Sequence, residues 1–199
     1  MKLFRILLLG IIIAGMSLPA YALPILYTAH LNGPSEATPN ASPGTGFAQV
    51  GYDPIAHTLH VQATFSGLTG TTTASHIHSA TVVPGVGTAG VATSVPNFTG
   101  FPLGVTSGTY DHLFDLTLAS AWNPTYVTAH GGTLSGTEAD FAGSLANDTA
   151  YFNIHTTAFP GGEIRGFLQP VPEPTTLLLL GSGLAGLALY ARRKRVLKV

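Results

Sequence analysis

From His57 to Phe65 the chain alternates without a miss. Leu59, Val61, Ala63 and Phe65 fall on one parity, and Thr58, His60, Gln62 and Thr64 on the other. A period of two marks a strand with one face buried and one face wet, and it excludes a helix over that stretch. Short runs of similar character, bounded by turn residues, predict further strands at 25–31, 45–52, 75–79, 108–118, 126–130, 150–156 and 163–169. Pro43-Gly44, Pro84-Gly85 and Pro160-Gly161-Gly162 supply the punctuation between them. About eight short strands at this spacing predict an all-β body, an antiparallel Greek-key β-sandwich or flattened barrel. Inside it one helix is expected, at 138–146 with Thr137 as its cap, and the breaker-dense stretch 82–103 is expected to be a long loop.

Charge divides the chain into three parts. Lys2 and Arg5 lie at the start, and Arg192, Arg193, Lys194, Arg195 and Lys198 near the end. Between residues 23 and 171, eight carboxylates face the single cation Arg165, a net of about −7, and all eight histidines lie there too. Such a body repels phosphate backbones, so nucleic acid is not expected as a partner. The chain contains no cysteine, which removes disulfides, thiolate metal sites and cysteine nucleophiles from consideration.

The two ends are read as addresses. Lys2 and Arg5, the apolar run that follows, and Ala20-Tyr21-Ala22 form a secretory signal over 1–22 with cleavage after Ala22. At the other end, Pro172-Glu173-Pro174 precedes an apolar run at 175–191 and then the basic cluster. Seventeen helical residues rise about 25 Å, the short end of a membrane span. The cations would stay cytoplasmic and leave the acidic body on the far side. Segment 172–199 resembles the PEP-CTERM sorting signal of Gram-negative bacteria. That resemblance implies recognition and cleavage by an exosortase-type enzyme near Pro-Glu-Pro. It also implies inner-membrane anchoring through 175–191 before processing, then delivery to the cell surface or an extracellular matrix. Gly181, Gly183 and Gly186 spell a G-x-G-x-x-G string, but inside this helix and without a βαβ unit it carries no nucleotide reading.

Two stretches of the body carry a second resemblance. One is Ala74-Ser75-His76-Ile77-His78-Ser79-Ala80 with the Pro84-Gly85 turn. The other runs from Ala150 through Asn153-Ile154-His155 and Pro160-Gly161-Gly162-Glu163-Ile164-Arg165-Gly166 to Leu168. Together they resemble the CHRD domain, and a weaker similarity extends over most of the body, taken as residues 23–171. The resemblance implies a β-sandwich and no settled activity.

On a strand, His76 and His78 project to the face opposite Ile77, and His155 to the face opposite Ile154. Three neutral imidazoles on one face are suited to copper or zinc with an open position. Their order, followed by Arg165 in a Gly-Glu-x-Arg-Gly strand, is similar to that of copper/zinc superoxide dismutases. That similarity implies His76, His78 and His155 as ligands and Arg165 as an anion guide. The absence of a zinc-loop cluster between His78 and His155, and of a cysteine pair, argues against dismutase activity. The alternative is that the three rings are hydrogen-bonded structural residues, with partners among backbone groups, Glu163 and Asn153. Glu163 and Arg165 share a parity and are expected to face the same way, as a structural ion pair. No G-x-S-x-G elbow, calcium loop or legible carboxylate pair marks another chemistry.

The sequence thus predicts an exported, surface- or matrix-associated, non-enzymatic protein, with extracellular polysaccharide or a surface protein as its partner. A copper- or zinc-binding domain is the alternative.

Overall fold

The structure, a computed structural model, describes residues 24–172 and 174–196. The expected signal over 1–22, its cleavage at Ala22, and Glu173 of the sorting motif lie outside the described residues.

Seven strands form one continuous antiparallel path: β1 (Ile25–Asn32), β2 (Thr45–Asp53), β3 (Thr58–Ser66), β4 (Thr72–His78), β5 (Gly108–Asp115), β6 (Tyr151–Thr156) and β7 (Ile164–Phe167). Their spatial order is β4-β6-β7-β1-β2-β3-β5, and the two-residue β8 (Gln169–Pro170) pairs with β1. The chain leaves β3, crosses to the far edge as β4, and returns to lie beside β3 as β5. This is the crossing expected of an all-β antiparallel fold, built as a curled sheet.

Phe98 shows how the two halves of the curled sheet are bridged. Its ring lies 5.7 Å from Tyr110 and 5.5 Å from Phe114 on β5, and 5.6 Å from Phe152 on β6. One residue of the long loop therefore bridges β5, at one end of the path, to β6, the second strand from the other end. The same loop covers the free edge of β4: Phe98 N donates to Ser75 O, Ala92 N to Ile77 O and Ser79 N to Gly90 O. An open strand edge is thereby satisfied. The stretch 82–103 is irregular, as expected, but Ala92, Thr93, Phe98 and Phe101 within it are buried, so much of it is core.

Two local expectations are corrected. The segment 126–130, read as a strand, belongs to helix α1 (Pro124–Ala129). Asn123 caps it by accepting from Thr125 N at 3.0 Å, and Pro124 takes a first-turn position, where its missing N–H costs nothing. Helix α2 (Leu134–Ala146) starts four residues before the expected 138 because Thr133, not Thr137, is its cap. Thr137 lies within the helix and donates its hydroxyl to Thr133 O at 2.8 Å. Glu138, Phe141 and Leu145 turn inward at helical spacing, with Phe141 edge-on to Trp122 at 5.4 Å.

The tail forms helix α3 (Pro174–Val196). Gly181, Gly183 and Gly186 lie mid-helix, where they cannot form a phosphate-binding turn. Among the described residues no helix is long and apolar enough to cross a membrane, so the transmembrane helix expected at 175–191 finds no support here.

Candidate metal centre

Strand register brings the candidate residues together. Across β4 and β6, His76 pairs with Asn153, His78 with Tyr151 and Ala74 with His155. Across β6 and β7, Asn153 pairs with Arg165 and Tyr151 with Phe167. All of these project to one face. Ile77, Phe152, Ile154 and Ile164 take the other face and are fully buried in the core. The isoleucines between the histidines thus orient them, because burying Ile77 and Ile154 forces the imidazoles to the opposite side.

The three rings form a compact triangle, with centroids 5.7 Å apart for His76–His78, 5.4 Å for His76–His155 and 5.7 Å for His78–His155. One ring nitrogen from each lies within 4.8 Å of those of the other two. A four-coordinate ion with metal–nitrogen bonds of about 2.0–2.1 Å needs them about 3.4 Å apart, so the rings would close on the ion by about 1 Å.

Each ring is fixed by one backbone carbonyl. His76 Nε2 is 2.6 Å from Pro96 O, His78 Nδ1 is 3.0 Å from Ala89 O, and His155 Nδ1 is 3.0 Å from Pro160 O. A carbonyl oxygen only accepts, so each of these nitrogens carries the proton and sets the tautomer. The second nitrogen of every ring then holds a lone pair. Those three atoms, His76 Nδ1, His78 Nε2 and His155 Nε2, are buried without a partner. Fixing one nitrogen on a carbonyl and freeing the other is how protein imidazoles are presented to a metal. Burial lowers the pKa of all three, that of His78 to about 4, so the rings are neutral at pH 7.

Arg165 stands on the same face but is not presented to solvent, being 4% exposed. Its Nε donates to Ser35 O and its Nη1 to Gly87 O at 2.8 Å. Its Cζ lies 4.8 Å over the Tyr151 ring and 5.5 Å from that of Phe167. Glu36 Oε2, equally buried, is 3.9 Å from Nε. The guanidinium therefore clamps the 33–37 turn and the 85–87 loop onto β7. It also borders a cavity of about 450 Å³ with Glu36, Ser35, Gly87 and Phe167.

Glu163 does not pair with Arg165, which corrects the expectation from their shared parity. It precedes β7, and its carboxylate faces Ser42, the 69–70 segment and Thr156. There it accepts from Ser42 Oγ, Thr69 N, Gly70 N at 3.1 Å and Thr156 Oγ1 at 2.6 Å. Burial opposes its charge, but these donors prevail and hold its pKa below the usual range. The ionic partner of Arg165 is Glu36, 129 positions earlier, which no sequence pattern indicated. Of the partners expected for the three rings, the backbone groups hold them, Glu163 bonds elsewhere, and Asn153 stands beside His76 across the strands.

The other histidines are dispersed, as their lack of mutual spacing implies. His57 pairs with Glu138 at 2.9 Å and His60 with Asp111 at 2.6 Å, while His30 leans on Phe47 and His130 bonds to Tyr126 O.

A CHRD domain family model matches residues 27–168, and a PEP-CTERM protein-sorting motif matches 170–195. No curated protein and no solved structure gives a significant match. The chain belongs to the CHRD domain family and carries a PEP-CTERM motif, which implies processing by an exosortase-type enzyme and export to the cell envelope or surface.

Proposed function

We propose that this CHRD-family chain works outside the cell as a non-enzymatic metal-binding module, holding copper or zinc on His76, His78 and His155. One observation carries the reading: three imidazoles, two buried and His155 half-buried, each with one nitrogen fixed on a backbone carbonyl, leave three buried nitrogens unpartnered within a single cluster. A buried polar atom without a partner is costly, and a shared ion satisfies all three together. Purely structural histidines would use both nitrogens or expose the second. Burial lowers all three pKa values and so keeps the rings unprotonated at pH 7, as a metal ligand must be.

Competition titration of the purified full chain with Cu(II) and Zn(II) tests this. One equivalent bound by the parent, and lost in both His76→Ala and His155→Ala, is the expected result. Equal binding by the variants would place the metal elsewhere. Superoxide dismutation by the copper-loaded chain is expected at the rate of a buffer blank, and a rate far above that would overturn the non-enzymatic part.

The tail completes the proposal. An exosortase-type enzyme cuts the precursor near Pro172-Glu173-Pro174. The mature body then joins the surface or matrix, where extracellular polysaccharide or a surface protein is its neighbour. Cell fractionation with intact mass of the mature protein tests this step. Pro172→Ala with Pro174→Ala is expected to leave an uncut precursor, and unchanged processing would contradict it.

A further inference from the structure

Among the described residues, six buried side-chain atoms lack a hydrogen-bond partner, and three of them are the imidazole nitrogens. Two more, Asn153 Oδ1 and Glu36 Oε1, belong to residues adjoining the same face, 3% and 6% exposed. Asn153 is the direct cross-strand partner of His76 and stands two residues before His155 on β6, so it borders the cluster on two sides. Directly opposed side chains on a sheet stand about 4.5–5.5 Å apart at Cβ.

Glu36 reaches the same place from the 33–37 turn, held there by Arg165. Its proximity to Asn153 can be measured through Gly162, whose φ of +128° is a glycine conformation. A Cβ built on Gly162 would stand 2.6 Å from Asn153 Nδ2 and 2.8 Å from both Asn153 Oδ1 and Glu36 Oε1. Those two oxygens are therefore at most about 5.6 Å apart, a span that one water crosses with two hydrogen bonds of ordinary length. Glu36 also borders a second cavity of about 620 Å³, along with Thr88, Pro160 and Gly162. Pro160 O fixes His155, and Thr88 precedes the Ala89 carbonyl that fixes His78, so residues next to the cluster line this cavity.

We propose that Asn153 and Glu36 complete the three-histidine centre by holding a water as its fourth ligand. The water's lone pair faces the ion, and its two protons go to Asn153 Oδ1 and Glu36 Oε1. Asn153 donates its amide N–H to the Glu36 carboxylate, while Glu36 Oε1 and Asn153 Oδ1 are left without a donor, and a metal-bound water is a strong double donor. The stoichiometry closes: three lone pairs and one water around the ion, two protons on two oxygens, and no unpartnered atom left on this face. Asn153 and Glu36 are positioning residues that act through the water. The inference rests on the three-histidine reading above.

The test uses the full chain loaded with one equivalent of Cu(II) in water enriched in oxygen-17, with pulsed electron paramagnetic resonance as the readout. The parent is expected to show nitrogen couplings from imidazole together with oxygen-17 coupling from a bound water. In Asn153→Ala and Glu36→Gln the imidazole couplings are expected to persist while the oxygen-17 coupling weakens or disappears. Zn(II) affinity is expected to fall about tenfold, as is usual when such supporting partners are removed. Glu36→Gln keeps the size of the side chain, and thermal melting identifies a variant that has lost its fold. If Asn153→Ala does not fold, the parent spectrum and Glu36→Gln decide. Imidazole couplings without oxygen-17 coupling in the parent, or variants identical to it, would overturn this inference while leaving the histidine centre standing. A parent that binds no metal would overturn both.

Discussion

Strands β1, β2, β3 and β5 bury one parity and wet the other, whereas β4, β6 and β7 are buried on both faces. On the first half the outer face carries polar side chains that bond to one another in water's presence. Gln49 donates to Gln62 at 3.1 Å, and Gln62 donates to Asp111 at 2.7 Å. On the second half the corresponding face lies under the 33–37 turn and the 85–98 loop. It nevertheless holds three histidines, an asparagine and an arginine, with Glu36 laid against it. A hydrogen bond adds little where water competes, and an unmade one costs much where water is excluded. The polar groups of the second half therefore carry both the stability of that region and its chemistry.

Substitutions should separate the halves by size of effect. Glu163→Ala strips a buried acceptor from four donors and is expected to destabilise on the order of 4 kcal/mol, read by urea unfolding. A loss below about 1 kcal/mol would show that water replaces the carboxylate. Arg165→Ala removes the clamp on two loops and leaves Glu36 buried alone, for an expected loss of about 3 kcal/mol.

Acid should act on the second half through opposed groups, the three histidines, of which His78 is shifted to about 4, against Glu36. The folded pKa of His78 is lowered to about 4, from an unfolded value near 6.5, so its contribution is complete above 6.5 and is lost as pH falls towards 4. That of Glu36 is raised to about 7, chiefly by burial and despite Arg165. Its contribution is complete below about 4.5 and is lost as pH rises through 7. Between about pH 4.5 and 6.5 the two slopes oppose each other. Glu36→Gln removes one, so stability followed by thermal melting is expected to fall more steeply with acid than in the parent, by about 1–2 kcal/mol over that range. A slope unchanged from the parent would contradict this balance. Gln62→Ala, on the wet face, is expected to change stability by no more than about 0.5 kcal/mol. A larger loss would make the outer ladder more than a solvated surface.

The contrast also explains what the sequence could disclose. Alternation in β3 was plain because one face meets water and selects Thr, His and Gln there. In β6 and β7 nearly every residue is buried, and parity had to be read from Ile154 and Ile164 against His155 and Arg165. That sufficed for the histidine face, since H-x-H with an intervening isoleucine fixes direction locally. It failed for Glu163, which lies just outside β7, where strand parity no longer applies. Glu36 was invisible because only the tertiary fold brings the 33–37 turn over β7. The strand expected at 126–130 was lost to Asn123-Pro124, a helix start whose local signal outweighs the β-tendency of Tyr126 and Val127.

The central claim is that the buried polar face of β4, β6 and β7 is a metal centre. X-ray absorption at the zinc edge of the full chain, loaded with one equivalent of Zn(II), tests it most directly. The account predicts three imidazole nitrogens at about 2.0–2.1 Å and one further light atom. A shell of oxygen ligands with one imidazole or none would contradict it.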